Sequence, residues 1–185
     1  MDRARMAGGV VAVCAVAAVA LSLMGRVLWC SCGSWVPWSF DTWSLHNSQH
    51  ILDPYTFSHV LHGVLFYAVL RVGLRGRHPQ VGLVIAAGME AVWEIVENSE
   101  AVIQRYRENT VSLDYHGDSV ANSVSDILAC SGGYLLAWSL PAWGSVAVFV
   151  VTELVLLAWI RDSLLVNVLM LVWPVQAVKD WQVGG

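Results

Sequence analysis

Apolar runs about as long as a bilayer is thick recur along this chain, and no other feature restricts its fold so strongly. A hydrocarbon core of about 30 Å is crossed by a helix of about 20 apolar residues. On that measure the sequence predicts five to six spans, at about 8–29, 56–74, 80–101, 119–140, 144–160 and 164–178. The last two are short and joined by Arg161-Asp162-Ser163, so a tight hairpin at the membrane edge is the alternative to two full crossings. Composition agrees: 57% of residues are hydrophobic and 13% charged, where a soluble domain carries about 25% charge. The expected fold is all-α, a polytopic helical membrane bundle forming a single integral membrane domain over residues 1–185.

The N-terminal MDRAR followed by GGVVAVCAVAAVALSLMG has an apolar core longer than a signal-peptide core, and RVLWCSC after it offers no cleavage site, so retention as a first span is expected. In a six-span reading Arg3, Arg5, Arg71, Arg75, Arg77 and Lys179 share one side, and Arg26, Arg105, Arg107 and Arg161 the other. The bias, dominated by the compact Arg71–Arg77 loop, places both termini in the cytoplasm and residues 30–55 and 102–117 outside. Trp35, Trp38 and Trp43 in the outer segment CSCGSWVPWSFDTWS are expected in an interfacial aromatic belt. The net charge of −4 and the lack of a basic tract exclude nucleic acid as a partner; membrane lipids and further copies of the chain are the expected partners. Cys14 and Cys130 lie in apolar runs, and Cys30-Ser31-Cys32 lacks C-x-x-C spacing, so all four cysteines are expected to be structural or incidental.

Within this apolar background the segment GMEAVWEIVEN places Glu90, Glu94 and Glu97 in an arc of about 60° on one helix, spread over about 10 Å of its axis. An unpaired charge at a helix centre costs about 2.5–3.5 kcal/mol, while each Leu, Ile, Val or Phe returns only about 0.3–0.6 kcal/mol. Such a stripe therefore calls for protons, metal ions, water or side chains from neighbouring helices. The second span offers His59 and His62 on one face, and the fourth Asp118, Asn122, Ser125 and Asp126. The connection YRENTVSLDYHGD adds Arg105, Arg107, Asp114, Tyr115 and His116. Each residue has a plainer reading: Asp118 as a helix N-cap, the histidines as hydrogen-bonded core residues, Glu97-Asn98 as solvated interface. Glu153, Arg161-Asp162 and Asn167 are expected to neutralise one another at the surface.

Histidine nitrogens with carboxylate oxygens suit a divalent metal ion. His59, His62, Glu94, Glu97 and Asp118 are the candidate metal ligands, and Glu90, Glu94 and Asp126 the candidate catalytic groups. Arg105, Arg107, Asn122 and Tyr115 are the candidate substrate-binding residues. Neither a paired E-x-x-H di-iron pattern nor H-E-x-x-H is present.

The runs SQHILDPYTFSHVLHGVLFY, EAVWEIVEN, YRENTVSLDYHGDSVANSVSD and IRDSLLVNVLMLVWP resemble an uncharacterised bacterial family of small multi-pass inner-membrane proteins. The resemblance covers the chain from about His46 onward, leaves out the first span and its C-S-C exit, and implies a topology and a bacterial inner-membrane location but no activity. At the level of pattern alone, His on one span, E-x-x-W-E on the next and D…N…D on a third is similar to the VanZ-like teicoplanin-resistance membrane proteins. Three functions remain open. One is an intramembrane metal-assisted hydrolase or transferase acting on a lipid or lipid-linked substrate. The others are a proton- or cation-coupled transporter or channel subunit, and a scaffold or accessory subunit.

Overall fold

The computed structural model describes residues 2–110 and 115–184. Among them it contains eight α-helices and no strand beyond one isolated bridge between Trp38 and Leu52. The helices are α1 Arg3–Leu23, α2 Thr56–Gly73, α3 Pro79–Glu97, α4 Glu100–Asn109, α5 Val120–Ser139, α6 Ala142–Ile160, α7 Leu164–Val172 and α8 Gln176–Val183. Three of them, α1, α3 and α6, are long and apolar enough to cross a membrane. The other two long helices, α2 and α5, carry the histidines and Asn122-Asp126, which lower their apolar character.

Helix limits follow local chemistry. Asp2 caps α1, its carboxylate accepting from the Arg5 N–H at 2.8 Å, and Gly25 in the left-handed region turns the chain after it. Thus α1 starts and ends several residues before the expected 8–29. Asn98 ends α3, and Ser99, extended, opens a separate α4 in what the sequence presents as span end and loop. The expected segment at 164–178 is not one helix: it breaks at Trp173-Pro174 into α7 and α8. Nine residues in α7 make about 14 Å of helix, less than half a bilayer core.

Helices α1, α3 and α5 share one apolar core, built from Val10, Cys14, Ala17, Leu83, Ala86, Ala87, Ile127 and Tyr134. Helix α2 packs chiefly on α5 at a crossing where both backbones are nearly bare. A Cβ on Gly63 would collide with the main chain of Cys130 and Tyr134, and one on Gly133 with the main chain of Val60. The opposite end of the bundle is tied by the connection 24–55, where the amides of Val120 and Ala121 donate to the carbonyls of Val27 and Leu28 at 2.8 and 3.2 Å. This end also collects α4, α7 and α8. Tyr106 donates to Asn167 at 3.1 Å, Lys179 to the carbonyl of Glu108, and Gln182 to the carbonyl of Arg161 at 3.0 Å. The chain therefore returns after Arg161 to where it left α6. Helix α8 lies at the end of the bundle opposite the start of α1, which differs from the expectation that the two ends of the chain share a side.

Candidate metal and carboxylate site

The buried face of α3 runs Gly82, Leu83, Ala86, Ala87, Glu90, Ala91 and Glu94, so the helical period that packs the core carries two carboxylates into it. Both are completely buried. His59 and His62, three residues apart on α2, converge on Glu90. His59 Nδ1 donates to Oε1 at 2.5 Å, and His62 Nδ1 donates to both carboxylate oxygens at 2.9 and 3.0 Å. That leaves each Nε2 available as a ligand or proton carrier. His59 also lies 3.5 Å from Glu94 Oε1 and, through Nε2, 3.8 Å from Asp126 Oδ2 on α5. Among the described residues the ion pairs of these carboxylates are with the two histidines. Both oxygens of Glu94, Oε2 of Glu97 and Oδ1 of Asp126 are buried without a hydrogen-bond partner.

Within this cluster two groups could hold a metal ion, His59-His62-Glu90 and His59-Glu94-Glu97, each offering one ligand atom per residue within 4.8 Å of the others. Beside them lies a cavity of about 50 Å³, bordered by His59, His62, Glu97, Asp118, Asn122 and Asp126. It has room for an ion with a few waters.

Asp118 is not the cap of α5. Ser119 takes that place, its hydroxyl accepting from the Asn122 N–H at 3.1 Å. Asp118 is instead held by Tyr115, whose hydroxyl donates to Oδ1 at 2.8 Å, and by Asn98, whose amide donates to Oδ2 at 2.7 Å while its carbonyl accepts the Asp118 N–H at 2.7 Å. Burial pushes the Asp118 carboxyl up to about 6, against the lowering effect of the Tyr115 and Asn98 hydrogen bonds. Burial and the neighbouring Asp118 and Glu97 carboxylates push the Tyr115 hydroxyl well up. Asn122 donates to the carbonyl of His50 at 2.8 Å and to Asp53 Oδ2 at 3.2 Å.

The structure thus gathers His59, His62, Glu90, Glu94, Glu97, Asp118, Asn122, Tyr115 and Asp126 at one end of the bundle. Arg105 and Arg107 do not border the cavity. Arg105 Nε donates to the carbonyl of Leu171 at 2.9 Å, and Arg107 Nε to that of Tyr115 at 2.6 Å. Asp114 lies outside the described residues. Nor do the hairpin residues neutralise one another. Glu153 caps α7 by accepting from the amides of Leu164 and Leu165 at 3.0 and 3.2 Å, and Arg161 donates to the carbonyl of Trp181 at 3.1 Å. Asp53 belongs to this network without standing out in the sequence, and Asn98, whose plainer reading is solvated interface, is buried in it. A polar residue one position past a glutamate stripe is the one local signal for Asn98.

A family described as "Protein of unknown function (DUF2585)" matches residues 21–184. The chain belongs to this family. The DUF2585 match begins earlier than the resemblance from His46 and takes in the C-S-C segment. The chain is 52% identical over 90% of its length to a UPF0314 protein of Paracoccus denitrificans, covering 86% of that protein. It is 49% identical over 94% of its length to a UPF0314 protein of Sphingopyxis alaskensis, covering 93% of it. A UPF0314 protein of Brucella anthropi is 46% identical over 95% of the chain, with 89% of that protein covered. No solved structure matches the chain.

Proposed function

We propose that this bacterial protein crosses the inner membrane with α1, α2, α3, α5 and α6. In this reading its carboxylate-histidine site lies in the outer half of the membrane, and a divalent ion there assists hydrolysis or group transfer on a lipid or lipid-linked substrate. The apolar residues that α1 and α6 leave exposed, Val11, Val16, Val146 and Leu154 among them, support burial in lipid. So do Trp35, Trp38 and Trp43, exposed around one end.

The observation that carries the catalytic reading is the set of unpartnered carboxylate oxygens of Glu94, Glu97 and Asp126 around His59. Buried carboxylates without partners need a cation or a proton. His59, Glu94 and Glu97 would hold the ion, with Glu90 orienting His59 and His62 from behind. The ion would polarise a phosphoryl or carbonyl oxygen and acidify a bound water, and Asp126 would take the water's proton. Asn122 and Tyr115 border the cavity and would position the substrate. Arg105 and Arg107 would act at one remove, by holding α7 and Tyr115.

Elemental analysis of detergent-purified protein tests this. Wild type should retain an ion that Glu94→Gln and His59→Ala each release, and turnover of lipid-linked phosphates followed by mass spectrometry should vanish in Asp126→Asn. Metal content unchanged in both variants would overturn the metal site. A second reading, proton- or cation-coupled transport, draws on the hydrogen-bonded series His62–Glu90–His59. Collapse of an imposed pH gradient in proteoliposomes, without substrate turnover, would favour it.

A further inference from the structure

The connection 24–55 runs about thirty residues with no helix or strand, far beyond an ordinary loop, yet it closes over the carboxylate site. Asn47 and Ser48 border the cavity, the Ser48 carbonyl accepts from the Ser119 amide at 3.0 Å, and Gln49 donates to the carbonyl of Gly117 at 2.7 Å. Within this connection Cys30, Cys32, His46 and His50 bring four ligand atoms within 4.8 Å of one another.

The distances suit one small tetrahedral ion. Zinc bonds of about 2.3 Å to sulfur and about 2.0–2.1 Å to nitrogen give tetrahedral edges of about 3.6 Å for S···N and about 3.3 Å for N···N. Cys30 Sγ lies 3.6 Å from His46 Nδ1, and His46 Nδ1 lies 3.4 Å from His50 Nε2. The nitrogen–nitrogen separation is long for an ordinary hydrogen bond, and both distances match the edges of a coordination tetrahedron.

The surroundings orient the ligands as a metal shell does. His50 Nδ1 donates to the carbonyl of Val36 at 2.6 Å, which fixes the tautomer and turns Nε2 towards the other three ligands. The Cys32 amide donates to Cys30 Sγ at 3.3 Å and the Ser34 amide to Cys32 Sγ at 3.4 Å, bonds that favour thiolate over thiol. Cys30 and His50 are buried, and the ring of Trp29 packs edge-on against His50 at 5.7 Å. We propose that Cys30, Cys32, His46 and His50 form a closed four-coordinate zinc site that staples the connection 24–55 over the cavity. Four protein ligands leave no open position, so the ion is structural. Thiolate with imidazole selects zinc over the hard cations that a carboxylate cluster prefers. Through the His50 carbonyl, which accepts from Asn122, the staple reaches the neighbouring site.

The test uses full-length protein purified in detergent under reducing conditions. Zinc-edge X-ray absorption should show a sulfur shell at about 2.3 Å with nitrogen at about 2.0 Å. Cobalt(II) substitution should give the near-ultraviolet thiolate charge-transfer band and the strong visible absorption of a tetrahedral centre. Cys30→Ser and His50→Ala should each lose one zinc per chain together with that band. Glu94→Gln should keep the band, which separates this site from the carboxylate cluster. The spectra of wild type stand even if a loop variant fails to fold. Zinc with oxygen and nitrogen scatterers only, or a cobalt spectrum without thiolate charge transfer, would overturn the proposal.

Discussion

At the scale of the residue, Asn98 shows how much one side chain organises. Its amide and carbonyl together hold the carboxylate and the backbone N–H of Asp118, twenty positions away. Asn98→Ala leaves the Asp118 N–H and Oδ2 without their Asn98 bonds while Tyr115 still holds Oδ1, at a cost of about 1–3 kcal/mol for each group left unpaired. Thermal unfolding in detergent should show a clearly lowered midpoint, and an unchanged one would mean that Asp118 is held some other way. A second buried acid, Asp162 at the corner between α6 and α7, gives a pH signature. Burial raises its carboxyl from 3.8 to about 6, against the hydrogen bonds from Ser163, Asn167 and Tyr55. Between those values the folded chain keeps a proton that the unfolded chain has lost, so stability falls as pH rises from about 4 to about 6. Asp162→Asn should flatten that part of the stability-pH curve, and a variant with the same slope as wild type would assign the effect elsewhere. The identity of the site residues is legible in the sequence because Glu90 and Glu94 share the helical face of Leu83. Their pairing is not: His59 and His62 meet Glu90 across about thirty residues of chain, and no local spacing encodes that contact.

Among the elements, the α2–α5 crossing sets the site. Gly63 and Gly133 let the two backbones touch, which holds His59 beside Asp126. Gly63→Ala or Gly133→Ala introduces a methyl group where backbone already stands, and overpacking of this kind costs about 1–3 kcal/mol or forces the helices apart. Gly132, where an added methyl would meet nothing within 4 Å, is the control: Gly132→Ala should be neutral or stabilising. The measurements are unfolding midpoint and metal content, and equal behaviour of the three variants would remove the crossing from the account. The long helices are readable from sequence, because each is a sustained apolar run. The break at Asn98 is not, and for the segment after Arg161 the short runs leave a tight hairpin and a full crossing as alternatives. The break and the hairpin depend on tertiary partners, Asp118 in one case and the Trp181 carbonyl in the other.

For the whole molecule, the basic residues divide sharply between the two ends. At the site end Arg26, Arg105, Arg107, Arg161 and Lys179 all donate to backbone carbonyls, of His116, Leu171, Tyr115, Trp181 and Glu108. Lys179 thereby lies at the end opposite the one that a full crossing over residues 164–178 would give it. In the proposed orientation a reporter fused after Gly185 should report the extracytoplasmic side and one inserted at Gly76 the cytoplasmic side. A cytoplasmic signal from both would restore the even-span topology.

Beneath Glu90 and Asp126 the space between α1, α3 and α5 is filled by Leu83, Ala86, Ala87, Ile127 and Tyr134. In the proposed orientation this filling stands between the chamber and the cytoplasmic side. Chemistry needs no second doorway, whereas passage across the bilayer would require this plug of aliphatic and phenolic side chains to part on every cycle.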